Sequence, residues 1–148
     1  MSDKTVIVLP IDFSEQGQAA LPWARRIAAV TDAEIHCVYT VEPPHIYTAL
    51  DMVPAVPLPT TDELAENAAT QLDVFANEHL SGMEPAPVTS VLIGNPADEI
   101  VTYARENNAG MIIMTTHGYS GLEHVVLGST TESVLRHADC PVLSIRNR

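Results

Sequence analysis

The stretch that decides the fold is MTTHGYSGLEHVVLGSTTESVLRHADCPVLSIR, Met114–Arg146. It contains the end of an apolar run, a glycine-containing loop, the start of a helical pattern and a second apolar run. Gly118 and Gly128 lie ten residues apart in it, Ser129 follows directly, and the segment between them has neither Lys nor Arg. A strand, a crossover helix and a second strand in this order form one unit of a parallel sheet.

The rest of the chain repeats this alternation of short β-branched runs and helical patterns. We predict strands at Thr5–Pro10, Glu34–Val41, Val88–Gly94, Gly110–His117 and Pro141–Arg146. Helical periodicity fills the intervals between them, apart from a proline-rich connection from Glu42 to Pro59. The pattern therefore predicts an α/β fold, a doubly wound five-stranded parallel sheet with helices on both faces, in a single domain spanning residues 1–148.

Local signals predict where the helices begin. Thr60–Glu63 and Ser129–Glu132 both fit a capping box, in which a hydroxyl and a glutamate bond reciprocally across the first turn. Asn95-Pro96 combines a favoured N-cap residue with proline at the first helical position. Trp23 falls on the apolar side of the first helical pattern, and we predict that it lies in the core.

Composition excludes several classes of function. The chain has 148 residues, 46% of them hydrophobic and 18% charged, and a formal net charge of −12. That charge argues against nucleic acid and anionic membranes as partners, and no apolar run is long enough to insert into a membrane. The first residues do not fit a signal peptide, and Cys37 and Cys140 lack metal-site spacing. We therefore predict a cytoplasmic protein with reduced thiols.

In a doubly wound sheet, ligands bind outside the carboxyl ends of the strands, where the strand order reverses. This rule selects the turns at Ile11–Ser14, Thr40–Pro44 and Gly94–Asn95 and the loop Thr115–Ser129. Asp12, in the first of these turns, is suited to accept hydrogen bonds from a ribose or a purine edge. The alternative is a turn aspartate that bonds its own backbone.

The loop before the last helix has the features of an anion site built from uncharged groups. A helix N-terminus offers free N–H groups and a partial positive charge, and Ser129 adds a hydroxyl. His117 and His124 supply further donors nearby. The alternative is that Ser129 only caps the helix and that the glycines only make turns. No phosphate-loop lysine is present, which favours holding phosphates over transferring them rapidly.

The residues also carry a family resemblance over essentially the whole chain. The segments VIVLPIDFSE, GNPADEIVTYARE and HGYSGLEHVVLGSTTESVLRHADCPVLSIR resemble the universal stress protein family. Nucleotide-binding members of that family have the motif G-x2-G-x9-G-[ST]. In this chain Gly118, Gly128 and Ser129 match its later positions, and Thr115 replaces the first glycine.

The resemblance implies a strand order of 3-2-1-4-5 and an adenine nucleotide, ATP or a relative of it, between the first and fourth strands. Because the chain has a net charge of −12 and the loop has no Lys or Arg, we expect Mg²⁺ or Mn²⁺ to bridge the phosphates. The resemblance assigns Asp12 to the ribose or adenine. The other residues it assigns are Pro10, Ile11 and Thr40 around the adenine, Met114, Thr115, His117 and Gly118 under the sugar and phosphates, and Gly128, Ser129, Thr130 and Thr131 at the phosphates.

The resemblance further implies a homodimer joined through the last strand, at Val142, Leu143, Ser144 and Ile145. The alternative is an unpaired edge, blunted by Pro141 and by Arg146 and Arg148.

We expect a cytoplasmic stress sensor or signalling regulator that binds ATP, hydrolyses it slowly or not at all, and acts on an unidentified protein partner. A second hypothesis is a dimeric interaction module whose nucleotide binding is impaired by Thr115. A third is a weak ATPase in which His117 or Asp12 positions a nucleophile.

Overall fold

The computed structural model describes residues 4–44, 57–116 and 127–146. Helices and strands alternate along these residues as the sequence predicts. In chain order they are β1 (Val6–Pro10), a 3₁₀ helix (Gln16–Ala20), α1 (Leu21–Thr31), β2 (Glu34–Val41), α2 (Thr61–His79), β3 (Val88–Ile93), α3 (Pro96–Glu106), β4 (Ala109–Thr115), α4 (Ser129–His137) and β5 (Val142–Ile145).

The strands form one parallel sheet in the order β3-β2-β1-β4-β5. This confirms both the predicted fold class and the strand order that the family resemblance implies. β1 lies at the centre, where Leu9 pairs with Cys37 of β2 and Val8 pairs with Ile112 of β4. Because β1 is covered on both faces, its apolar run has no polar alternation, and both Val8 and Leu9 are fully buried.

Helices cover both faces of the sheet and enclose two apolar layers. α1 and α2 pack on one face, where Leu72 of α2 and Ile113 of β4 belong to the same cluster. α3 and α4 pack on the other face, where Ile100 and Val134 cluster with Val8. No helix among the described residues is both long enough and apolar enough to cross a membrane.

The predicted starts of α2 and α3 are confirmed. Thr60 Oγ1 accepts a hydrogen bond from the Glu63 N–H at 3.2 Å, and the Thr60 N–H donates to Glu63 Oε2 at 2.9 Å. Asn95 Oδ1 accepts from the Asp98 N–H at 3.2 Å, and Pro96 occupies the first turn of α3. Each helix therefore satisfies part of its own N-terminal turn with side chains.

The prediction that Trp23 lies in the core is wrong. Its side chain is 46% exposed, and the guanidinium carbon of Arg26 lies 5.7 Å from its ring centroid. The inner side of α1 is occupied by Ala24 and Ala28, whose small side chains bring the helix close to the sheet. Trp23 directly precedes Ala24 and therefore lies at the edge of the buried face of α1. Sequence periodicity alone does not distinguish such an edge position from a buried one.

Burial of Cys37 predicts a loss of stability in alkali. Cys37 has no exposed surface, and burial raises the pKa of its thiol from 9.0 to about 12. Above pH 9 the unfolded thiol ionises while the folded thiol stays neutral, so stability falls as the pH rises from 9 towards 12. Linkage gives this one group a loss of about 2 kcal/mol between about pH 8.5 and 10.5. Urea unfolding at the two pH values measures it, and Cys37→Ala, which lacks the thiol, should show a shallower decline; an equal decline would contradict the assignment.

Candidate functional site

A cleft of about 440 Å³ opens at the carboxyl ends of β1, β2 and β4. β1 and β4 are neighbours in the sheet, but the helices that follow them cover opposite faces, so the chain leaves a crevice between their ends. A cleft of this volume falls within the range of small-molecule sites. Its lining residues are Pro10, Ile11, Asp12, Gly17, Val38, Tyr39, Thr40, Glu42, Pro96, Ile100, Met114, Thr115, Gly128, Ser129, Thr130 and Thr131.

The structure brings together at this cleft every predicted site residue that it describes. These are Pro10, Ile11, Asp12, Thr40, Met114, Thr115, Gly128, Ser129, Thr130 and Thr131. His117 and Gly118 lie outside the described residues, as does His124. The ligand contacts assigned to all of these residues stay predictions, because their shared location does not itself identify a ligand.

The start of α4 differs from the prediction in a way that matters for the site. Gly128, not Ser129, is the N-cap: its backbone is extended at φ −66° and ψ 152°, and its carbonyl accepts the Glu132 N–H at 2.9 Å. The predicted Ser129–Glu132 capping box is therefore wrong, because the helix begins one residue earlier than a serine cap requires. Glycine has no side chain to cap with, and no side chain in the described part of the chain caps α4. The N–H groups of its first turn are left for another acceptor.

The first turn of α4 is held against the end of β4. The Gly128 N–H donates to the Thr116 carbonyl at 2.8 Å, and the Thr116 N–H donates to Ile145 of β5 at 2.9 Å. A Cβ at position 128 would lie only 3.1 Å from the Thr116 oxygen, so glycine allows this close approach. Thr131 Oγ1 donates to the Thr115 carbonyl at 2.9 Å. The Thr131 hydroxyl proton, predicted for phosphate, is thus used to fix the helix in place.

Asp12, which also lines the cleft, belongs to a small cradle of hydrogen bonds. Its Oδ1 accepts from the Ser14 N–H at 3.0 Å and from Ser14 Oγ at 2.6 Å, and Ser14 Oγ in turn accepts from the Gly17 N–H at 3.0 Å. The turn interpretation of Asp12 is therefore correct as far as Oδ1 is concerned. Because both bonds use one oxygen, Oδ2 is left for a ligand, and the two interpretations are compatible.

The charge of the cleft restricts how it can hold an anion. Two lining residues, Asp12 and Glu42, carry carboxylates, and none of the lining residues that the structure describes is Lys or Arg. Among the described lining residues, main-chain N–H groups and hydroxyls are the groups that can hold an anion, against the local carboxylates. Across the described part of the chain, no group of three His, Cys, Asp or Glu side chains could hold a metal ion by itself.

Sequence reasoning missed several residues of the cleft wall. Tyr39 directly precedes the predicted Thr40, and Pro96 begins α3 directly after the selected Gly94–Asn95 turn. Both could have been found by extending the strand-end rule by one residue. Glu42 lies inside the selected Thr40–Pro44 turn but was not named as a site residue. Gly17 gave no such signal: it matters because a Cβ there would collide with Asp12 Oδ1, which depends on three-dimensional folding of the turn.

The chain is similar in sequence to proteins of one known family. The model of the universal stress protein family matches residues 5–146. Universal stress protein MJ0531 of Methanocaldococcus jannaschii is 33% identical over 155 aligned residues, which span 95% of this chain and 81% of that protein. A match of this identity and extent covers both walls of the cleft.

Two solved structures with the same fold contain adenine nucleotides. One is a universal stress protein in complex with cAMP, with a TM-score of 0.64, 19% identity and coverage of 98% of both chains. The other is the universal stress protein from Archaeoglobus fulgidus in complex with dAMP, with a TM-score of 0.63, 16% identity and coverage of 96% of this chain and 97% of that one. At these identities the likeness establishes the fold of this chain.

Proposed function

The chain belongs to the universal stress protein family, and we propose that its cleft binds an adenine nucleotide, with ATP as the leading candidate. Binding would serve a sensing or signalling role in the cytoplasm, in which a regulatory protein partner distinguishes the occupied from the empty state. Hydrolysis would be slow or absent, since the described lining residues include no Lys or Arg to stabilise a transferring phosphate.

One observation carries the proposal: the N-terminus of α4, which no side chain of the described residues caps, and the Asp12 carboxylate line the same cleft. Free N–H groups at a helix N-terminus suit phosphate, and a carboxylate with an unused oxygen suits the hydroxyls of a ribose or the amine of a base. A nucleotide has both of these parts, a phosphate at one end and a ribose and base at the other. The nucleotides held by relatives, cAMP and dAMP, support adenine as its base.

The acidity of the cleft favours a nucleotide that arrives with a divalent cation. Asp12 and Glu42 oppose the charge of a triphosphate, and the chain as a whole has a net charge of −12. Mg²⁺ or Mn²⁺ bridging the phosphate oxygens would offset part of that repulsion. The cation would be held mainly by the nucleotide, in keeping with the lack of a three-residue metal cluster among the described residues.

The proposal is tested by mass spectrometry of small molecules released from the heat-denatured protein, together with titration calorimetry. We expect an adenine nucleotide to co-purify, or ATP to bind the stripped protein more tightly with Mg²⁺ than without it. Absence of binding by ATP, ADP, AMP and cAMP, with and without Mg²⁺ or Mn²⁺, would overturn the proposal.

We also propose that two copies pair through β5. This strand is one edge of the sheet, its residues Val142–Ile145 are half-buried in the single chain, and none of them is charged. An apolar edge of this kind is commonly covered in the assembled protein. Sedimentation equilibrium at micromolar concentration should give twice the mass of one chain; a monomer throughout would exclude the dimer.

A second candidate function, an interaction module with impaired nucleotide binding, is favoured by one residue. Thr115 ends β4, lines the cleft and stands where the family motif has glycine. If its side chain blocks the phosphates, Thr115→Gly should raise ATP affinity about tenfold or more. Under the leading proposal we expect a change of less than about threefold, because the ligand is held by α4 rather than by the Thr115 position. Calorimetry on the two proteins distinguishes these outcomes.

A further inference from the structure

The residue directly after Asp12 has an unusual backbone conformation. Phe13 has φ +61°, in the left-handed region that bulky L-residues rarely adopt. Such a conformation persists only where surrounding contacts hold it, and residues with such conformations cluster at binding sites. Phe13 directly follows Asp12, whose carboxylate lies in the cleft.

Two aromatic rings hold Phe13. Its ring centroid lies 4.7 Å from that of Tyr39 at an interplanar angle of 36°, and 6.0 Å from that of Phe75 at 72°. Tyr39 lies on β2 and lines the cleft, while Phe75 is buried on α2. Both separations suit attractive ring packing. Phe13 is therefore fixed between the sheet and a helix of one core layer.

The left-handed residue is the point where the chain folds back on Asp12. Phe13 is the single residue between Asp12 and the Ser14 N–H that Asp12 Oδ1 accepts, so its backbone conformation helps to set the shape of this turn. In this turn both the N–H and the Oγ of Ser14 donate to Asp12 Oδ1. The Gly17 N–H then fixes Ser14 Oγ.

We propose that Phe13 is a positioning residue for the ligand site: its ring, held by Tyr39 and Phe75, keeps the turn closed and so fixes the carboxylate of Asp12 in the cleft. The inference rests on the proposed nucleotide function for its effect on affinity. It does not depend on that function for its effect on the turn itself, which exists in the ligand-free chain.

The variant Phe13→Gly separates the ring from the backbone conformation, because glycine adopts positive φ without strain and allows the variant to fold. We expect it to weaken binding of Mg²⁺-ATP about fivefold to tenfold in the natural chain. In an Asp12→Ala background the same change should have less than about a twofold effect, because the group that Phe13 positions is gone. Phe13→Tyr, which keeps the ring, should restore affinity.

Leu80→Ala provides the matched control. Leu80 is fully buried in the same core layer and is not among the residues that line the cleft. It should lower the melting temperature at least as much as Phe13→Gly and leave affinity unchanged. If Leu80→Ala weakens binding equally, or if Phe13→Gly costs the same affinity with and without Asp12, Phe13 supports only stability and the inference is overturned.

Amide hydrogen exchange in the ligand-free protein gives a readout that needs no nucleotide. We expect Phe13→Gly to accelerate amide exchange at Ser14 and Gly17 by about tenfold or more. Leu80→Ala should leave the exchange rates of these two amides unchanged relative to those of the sheet amides. If the natural chain binds no nucleotide, the proposed function fails and the exchange rates alone decide about Phe13. Unchanged exchange at Ser14 in Phe13→Gly would overturn the inference.

Discussion

Replacing Gly128 with Asp is expected to abolish nucleotide binding while making the fold more stable than its Ala counterpart. An aspartate at the N-cap of α4 would accept hydrogen bonds from the N–H groups of the first helical turn. These are the groups proposed to hold phosphate, and the new carboxylate would also repel the ligand. Losing two or more donors to a charged group lowers affinity by at least about a hundredfold. The same capping bonds stabilise the free protein by about 1 kcal/mol.

The control for this experiment is Gly128→Ala. Either side chain places a Cβ 3.1 Å from the Thr116 carbonyl oxygen, so both variants share the cost of that tight contact. They differ in the carboxylate, which caps the helix and adds a negative charge. Calorimetry with Mg²⁺-ATP gives the affinity, and urea unfolding of the ligand-free variants gives the stability. The two measurements should move in opposite directions from Ala to Asp. An Asp variant that binds as tightly as the Ala variant would show that the α4 amides do not hold the ligand.

The fold was predictable from the sequence because its signals are local and numerous. β1 is a continuous apolar run, and it is predicted as a buried strand wherever the neighbouring helix is placed. The capping box at Thr60 and the Asn95-Pro96 pair were correct for the same reason, since each involves bonds between residues three apart. The order of the strands came instead from the family resemblance, because crossover rules leave several orders possible.

The parts that failed depend on distances between segments remote in the chain. The sequence Ser129–Glu132 fits a capping box. However, Gly128 is hydrogen-bonded to the end of β4, and the helix begins at Ser129, one residue earlier than a capping box requires. Trp23 satisfies an apolar period, but the small side chains of Ala24 and Ala28 fill the inner face of α1. In both cases tertiary contact decides between two locally acceptable arrangements.

Removing the Asp12 carboxylate is expected to weaken the binding of ATP but not that of inorganic tripolyphosphate. Asp12 lines the same cleft as the start of α4, and its Oδ2 makes no bond within the turn. A charge-assisted hydrogen bond from Oδ2 to the ribose or the base contributes about 1.5–3 kcal/mol, so Asp12→Ala should weaken Mg²⁺-ATP binding about tenfold to a hundredfold. Inorganic tripolyphosphate lacks the nucleoside, and it should bind the variant at least as well, because a repelling negative charge is gone.

Comparison with Gly128→Asp assigns the two walls of the cleft to the two ends of the ligand. The Gly128 variant should lose tripolyphosphate and ATP together, since it blocks the amides that both ligands share, whereas the Asp12 variant should lose ATP alone. Asp12→Asn keeps an oxygen for Ser14 and controls for collapse of the turn that Ser14 and Gly17 support. If Asp12→Ala weakens tripolyphosphate as much as ATP, the carboxylate acts on the phosphates or on their cation rather than on the nucleoside. The assignment of Asp12 to the nucleoside would then be wrong.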